Sequence, residues 1–163
     1  MGQPKVKLPF EPFDNFLLGI SLTSAIGLIL IPAFNYARLP DKIPLHFDIN
    51  GTADRYGNKL ELWIIPTIGI ALIALLWGIS KIPHTFNYAV KITPENAVKH
   101  YGFSVRLMRV LATIIGFGFT FIIWEIIKTA KGNEDGLNPF FLPLFIGAIF
   151  ITIGYYLLSL IHI

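Results

Sequence analysis

Four long windows of this chain contain no Asp, Glu, Lys or Arg, and that absence constrains its fold more than any other feature. Asn15–Ala37 runs for 23 residues, Leu62–Ser80 for 19, Val110–Trp124 for 15 and Gly136–Ile163 for 28. A bilayer core of about 30 Å takes about 20 helical residues at about 1.5 Å each. The windows predict four transmembrane helices over about 14–34, 61–80, 105–127 and 138–161, the third running past Glu125 to Ile127. Only 14% of residues are charged, against roughly 25% in soluble chains. The expected fold class is an all-α integral membrane protein. It is read as a single four-span domain over 1–163, with a short extramembrane β-hairpin-like loop between helices 1 and 2. The first window is longer than a signal-peptide core and no small-residue cleavage site follows it, so it is read as a retained span.

Charge and cysteine content narrow the function classes. The net charge is +3, but the basic residues stand singly at span ends, with no dense patch, so nucleic acid is not an expected partner. The lipid bilayer is, and membrane-flanking cations explain the balance. The chain has no Cys, which removes disulfides, thiolate chemistry and Cys-based metal sites. Orientation follows from Lys and Arg. The N-terminal tail, the 81–102 connection and the adjoining Arg106 and Arg109 carry seven; the 35–60 loop and the last loop carry six. This narrow excess places both termini in the cytoplasm of a multi-pass cell-membrane protein and the 35–60 loop outside. Trp63, Trp77 and Trp124 fall near span ends, as interfacial aromatics do.

Small residues at four-residue spacing predict where helices touch. These are Gly19, Thr23 and Gly27 in span 1, Ala74 and Gly78 in span 2, and Ala112, Gly116 and Thr120 in span 3. Packing within the chain is the plainer use; a homo-oligomer is the other. Thr93-Pro94-Glu95 is a helix start, with Thr as N-cap, Pro in the first position and an acid in the first turn. The helix is expected to approach span 3 along the membrane surface, with Gly102 softening the junction.

Most residues able to carry recognition lie in the polar island Leu39–Lys59. Ile43, Leu45, Phe47 and Ile49 alternate with Pro44, His46 and Asp48, the pattern of a half-buried strand. Asn50-Gly51 comes next, and a two-residue type I′ turn there pairs Ile49 with Thr52, Phe47 with Asp54 and His46 with Arg55. In that register Asp54 faces away from His46 and Asp48, while Arg55 sits beside them as a cross-strand ion-pair partner. A cation at that place opposes a metal site, and none is expected. Tyr56-Gly57-Asn58 reads as a second turn into span 2.

The run from Leu39 to Lys59 resembles a bacterial and archaeal membrane domain of unknown function found in the N-terminal part of SdpI-type immunity proteins. Pro40, Ile43, Pro44, His46, Gly51, Asp54, Gly57 and Lys59 carry the resemblance. Phe86-Asn87-Tyr88, Thr93-Pro94-Glu95-Asn96 and Tyr101 are similar to the next segment of many members. The resemblance implies a multi-pass membrane protein, in some members conferring immunity to a secreted peptide toxin or sensing it. This chain is expected to stop at four spans, without the further C-terminal membrane region of those proteins.

No nucleophile elbow, HExxH or P-loop occurs. His84, His100 and His162 fall on the inner side with only Glu95 nearby, the pattern of interfacial histidines rather than a metal site. Glu125 is expected at the interface beside Lys128, with Arg106 and Arg109 on lipid phosphates at the other end of span 3. The functional expectation is a non-enzymatic membrane protein without cofactor, whose loop recognises a secreted peptide, protein or envelope component. His46, Asp48, Asp54, Arg55 and Tyr56 are the contact candidates; Pro40, Pro44, Asn50, Gly51, Gly57 and Lys59 shape the loop. The alternative is a small transporter or transporter subunit with Ser21, Thr23, Ser24 and Thr67 lining a path.

Overall fold

The computed structural model describes residues 2–133 and 136–161. The structure has four helices, α1 (Pro12–Asn35), α2 (Ile64–Ile79), α3 (Pro94–Ala130) and α4 (Phe141–Ile161), with a two-stranded antiparallel sheet, β1 (Lys42–Phe47) and β2 (Ala53–Asn58), between α1 and α2 in the chain. All four helices are long and apolar enough to cross a membrane, α2 together with the 3₁₀ turn Lys59–Trp63 that leads into it. The chain is mostly helical, and its four apolar helices are consistent with a multi-pass membrane protein.

α3 organises the bundle. It begins where the sequence places it, with Thr93 and Asn96 capping each other's backbone and Pro94 in the first turn. It then runs unbroken for 37 residues, about 55 Å, well beyond a bilayer core. The approach segment expected along the membrane surface is instead the first turns of this one helix, with no break at Gly102. α1, α2, α4 and β1 all pack on α3.

α1 and α3 both start at the end of the bundle that holds the N-terminal tail, so they lie parallel, and one offset relates their contacts. Arg106 meets Glu11 at 2.6 Å and Arg109 meets Asp14 at 2.8 Å. One helical turn after another, the Thr113 hydroxyl lies 3.3 Å from the Leu17 carbonyl and that of Thr120 3.3 Å from the Ser24 carbonyl. Lys131 reaches Asn35 at the far end. Arg106 and Arg109 are thus held by acids of α1, correcting the expectation that they face lipid phosphates.

The Asp14–Arg109 pair is buried, with the two side chains 4% and 11% exposed. Asp14 is satisfied twice, because its second oxygen accepts the Glu11 backbone N–H at 2.9 Å, a place where the helix dipole favours an anion. The Arg109 guanidinium lies over the rings of Phe10 at 4.8 Å and Trp77 at 5.2 Å, a geometry that stabilises a desolvated cation. The tail, α1, α2 and α3 all contribute to this one cluster.

Small residues mediate packing, though not all of the expected ones. Gly116 sits against Ser24 and Ile73, and Gly27 against Thr120. Gly19 and Gly78 have nothing near them, and Thr23 and Ala74 are exposed. The buried stripe of α1 is Leu17, Ser21, Ser24 and Leu28 instead. α4 is peripheral: the Phe145 ring lies on Gly118, and Phe141 stacks on Phe121 at a centroid distance of 4.4 Å. At the tail end Gln3 donates to the Phe86 carbonyl at 2.7 Å, and the Tyr101 hydroxyl donates to that of Pro4 at 2.9 Å.

Breaking the buried pair with Arg109→Ala is expected to cost about 3–5 kcal/mol, since it strands a carboxylate. The apolar double variant Asp14→Leu/Arg109→Met should recover most of that. Arg106→Ala, at a half-exposed pair, should cost no more than about 1 kcal/mol. Denaturant titrations of the detergent-solubilised protein read the ranking, and equal losses for Arg106→Ala and Arg109→Ala would contradict it. Gly118→Leu should detach α4 while leaving the α1–α2–α3 contacts intact, seen as accelerated proteolysis confined to residues beyond 131.

Candidate functional site

The hairpin between α1 and α2 is rooted in the bundle rather than hung from it. Leu39, Ile43 and Leu62 are 5%, 0% and 0% exposed and join Ile123, Ile126 and Ile127 of α3 in one apolar core. Lys59 fastens the base: its ammonium lies 3.1 Å from the Asp41 carboxylate and 3.3 Å from the Leu39 carbonyl, over the Tyr36 ring. Pro44 is fully buried opposite Tyr56, while Pro40 is exposed. Gly57 is squeezed by Leu45 and Glu61. The expected second turn at Tyr56-Gly57-Asn58 is the end of β2; Asn58 then caps the 3₁₀ turn, accepting the Leu60 N–H at 2.9 Å.

The tip corrects the expected register. The Gly51 N–H donates to the Asp48 carbonyl at 2.9 Å, and the Asp48 N–H donates to the Thr52 carbonyl at 2.8 Å. The loop is therefore three residues, Ile49-Asn50-Gly51, and only Gly51 takes a positive φ, +82°. That is a type I turn closed by a glycine bulge rather than a type I′ turn. The Asp48 carboxylate fixes it by accepting the Asn50 and Thr52 N–H groups at 2.9 and 2.8 Å. Ile49, read as a strand residue, is instead 80% exposed at the tip.

Phe47 consequently pairs with Ala53, not Asp54, and Ile43 with Gly57, although His46 still faces Arg55. Irregularities on either side of His46 leave Leu45 and Asp54 unpaired, and a bulged residue is re-aimed. Asp54, expected on the opposite face, swings to His46 and holds its Nδ1 at 2.6 Å. No ion pair joins Arg55 to Asp48, whose carboxylate belongs to the turn.

The outward surface thus gathers His46, Asp54 and Arg55, with Tyr56 next along β2 at 59% exposed. With Nδ1–H donating to the Asp54 carboxylate, a neutral His46 ring presents Nε2 as an acceptor. A His–Asp pair can orient an acid–base group, but no hydroxyl nucleophile is hydrogen-bonded to His46 among the described residues.

Sequence reasoning missed two features. The α3–α4 loop braces the tip: Thr52 bridges Gly136, and the Leu137 N–H donates to the Gly51 carbonyl at 2.8 Å. The other is the Asp14–Arg109 cluster, whose signal was the matching three-residue spacing of Glu11/Asp14 and Arg106/Arg109. Glu125 is buried, with its carboxylate 3.3 Å from the Lys128 ammonium. The hydroxyls assigned to a transport path do not converge. Ser21 and Ser24 are buried on the α3 side of α1, whereas Thr23 and Thr67 are exposed and bond back to the Gly19 and Trp63 carbonyls. Among the described residues no three His, Asp or Glu side chains are grouped for a metal; His162 lies outside them.

A Cβ on Gly51 would fall on the Leu137 carbonyl, in a conformation that side chains avoid. Gly51→Ala is therefore expected to release the brace. Amide exchange at Leu137 should rise at least tenfold with the Ile43 amide unchanged, and protection of Leu137 equal to wild type would contradict the brace.

Residues 24–70, from the middle of α1 through the hairpin into α2, match the family model Domain of unknown function (DUF1648). A stretch of 77 residues is 32% identical to an archaeal protein of Archaeoglobus fulgidus described as "Uncharacterized protein", taking in 47% of this chain. The chain spans 42% of that relative's length. No solved structure matches the chain. What the chain is similar to is thus a domain of unknown function centred on the hairpin.

Proposed function

We propose that this is a non-enzymatic protein of the cell membrane whose hairpin, outside the cell, recognises a secreted peptide or an envelope protein, in the manner of SdpI-type immunity or sensing. The single observation that carries the reading is the bulge that turns Asp54 onto His46. It brings the Asp54 carboxylate onto the His46 imidazole, with Arg55 facing His46 across the strands and the exposed Tyr56 next along β2, on a hairpin that is fixed at its base and braced at its tip. Packing needs none of these side chains there. A peptide supplies the complementary groups: a carboxylate for Arg55, an N–H or O–H for His46 and an apolar side chain for Tyr56 and Ile49. Binding groups on loops held by a rigid scaffold follow the general rule. The tail end carries seven Lys and Arg against six at the hairpin end, which supports a cytoplasmic tail.

The absence of Cys allows a direct topology test. Ile49→Cys in intact cells should react with a membrane-impermeant maleimide and Lys91→Cys should not; the reverse pattern would overturn the orientation. For recognition, a photo-crosslinking amino acid replacing Tyr56 should capture a discrete peptide or protein. Capture should be lost when Arg55→Ala and Asp54→Ala are added, and it should not occur from Phe117 on the lipid-facing side of α3. Capture that is identical from both positions, or indifferent to Asp54 and Arg55, would sink the reading.

A further inference from the structure

A cavity of about 370 Å³ lies at the tail end of the bundle, at the opposite end from the hairpin. The 86–90 segment of the α2–α3 connection covers it, α3 forms its back wall through His100, Leu107 and Met108, and α4 closes the side through Leu157 and Leu160. That volume falls at the small end of the range for ligand pockets. The wall is mostly apolar, and no Lys, Arg, Asp or Glu lines it.

One polar side chain stands out. His100 is only 3% exposed, and its ring makes an edge-on contact with Tyr88 at 6.3 Å but forms no hydrogen bond among the described residues. Asn87 lies on the covering segment, and the two hydroxyls nearby are already engaged. The Tyr88 hydroxyl donates to the Pro83 carbonyl at 3.0 Å, and that of Ser104 donates to the His100 carbonyl at 3.1 Å. Burial pushes the Tyr88 phenol above its ordinary range, so it keeps its proton for that bond. A ligand group that enters the cavity can hydrogen-bond to this imidazole, a net gain of about 1 kcal/mol.

We propose that the cavity binds a single-chain amphiphile whose uncharged hydroxyl or carbonyl end hydrogen-bonds to His100. The imidazole offers one donor and one acceptor, the complement of a hydroxyl. The lack of charged wall residues disfavours a phosphate or carboxylate, which would be desolvated without a counter-ion. Leu107, Met108, Leu157 and Leu160 receive the chain. They lie where the charge-free windows of α3 and α4 give way to the connection and the α4 terminus, so the ligand enters from the membrane boundary. The space is too small to enclose a two-chain phospholipid.

The test uses the full chain, delipidated in detergent micelles, with radiolabelled monoolein as probe. Wild type should bind saturably at one site. Leu157→Trp, at a side chain that is 49% exposed and free to grow, should fill the cavity and abolish binding without lowering thermal stability. His100→Leu should weaken binding roughly tenfold, the loss of one buried hydrogen bond. Absence of saturable binding to wild type, or equal binding to Leu157→Trp, would overturn the site. If Leu157→Trp loses binding and a stably folded His100→Leu does not, His100 is not the polar anchor. None of these readouts depends on the hairpin.

Discussion

The Asp14 carboxylate and the Arg109 guanidinium, 2.8 Å apart between the first turn of α1 and the span of α3, impose the constraint on which the rest of the bundle depends. Neither charge is tolerable alone in an apolar interior, where the alternative to pairing costs several kcal/mol. Their union fixes the axial register of two parallel helices, and that register determines which hydroxyls meet which carbonyls for the next four turns. Because Phe10 and Trp77 flank the guanidinium, the same cluster ties in the tail and α2. The hairpin inherits its position from this arrangement, since the end of α1 and the start of α2 deliver its two strands onto Ile123, Ile126 and Ile127.

Much of the fold was legible because the bilayer demands long uncharged helices, and the four windows each hold one. The cap at Thr93 and the alternation Ile43–Phe47 were also legible, being local. What escaped was decided between competing local solutions or at long range. Asn50-Gly51 is compatible with a type I′ turn, but the Asp48 carboxylate is placed to capture Asn50 and Thr52 amides and tips the choice to a three-residue loop. That single residue of slippage, absorbed at Leu45 and Asp54, left Arg55 opposite His46 but turned the Asp54 carboxylate onto its ring. The spacing of charges on α1 and α3 matched, but their 95-residue separation hid it.

The two ends of the molecule contrast in construction. At the hairpin end, exposed polar groups stand above a mostly apolar core, with the buried Glu125 beside Lys128, an arrangement suited to a partner that arrives from water. At the tail end, the polar groups are internal: the ion pair is enclosed, and His100 faces an enclosed space. α4 packs chiefly on α3, and among the described residues its one buried side chain is Tyr156, at 8% exposed. It therefore serves mainly to wall the tail-end cavity and to carry the loop that braces the hairpin tip.

The parallel pairing of α1 with α3 has a consequence for biogenesis. Asp14 leaves the ribosome 95 residues before Arg109, an interval of about 5–19 s at ordinary synthesis rates. Through that interval α1 must reside at the membrane with its carboxylate kept at the aqueous boundary, unable to settle to its final depth. The nascent hairpin and α2 are made in this window and must wait for the helix that anchors them. Assembly of this protein is thus timed by its third span rather than its first.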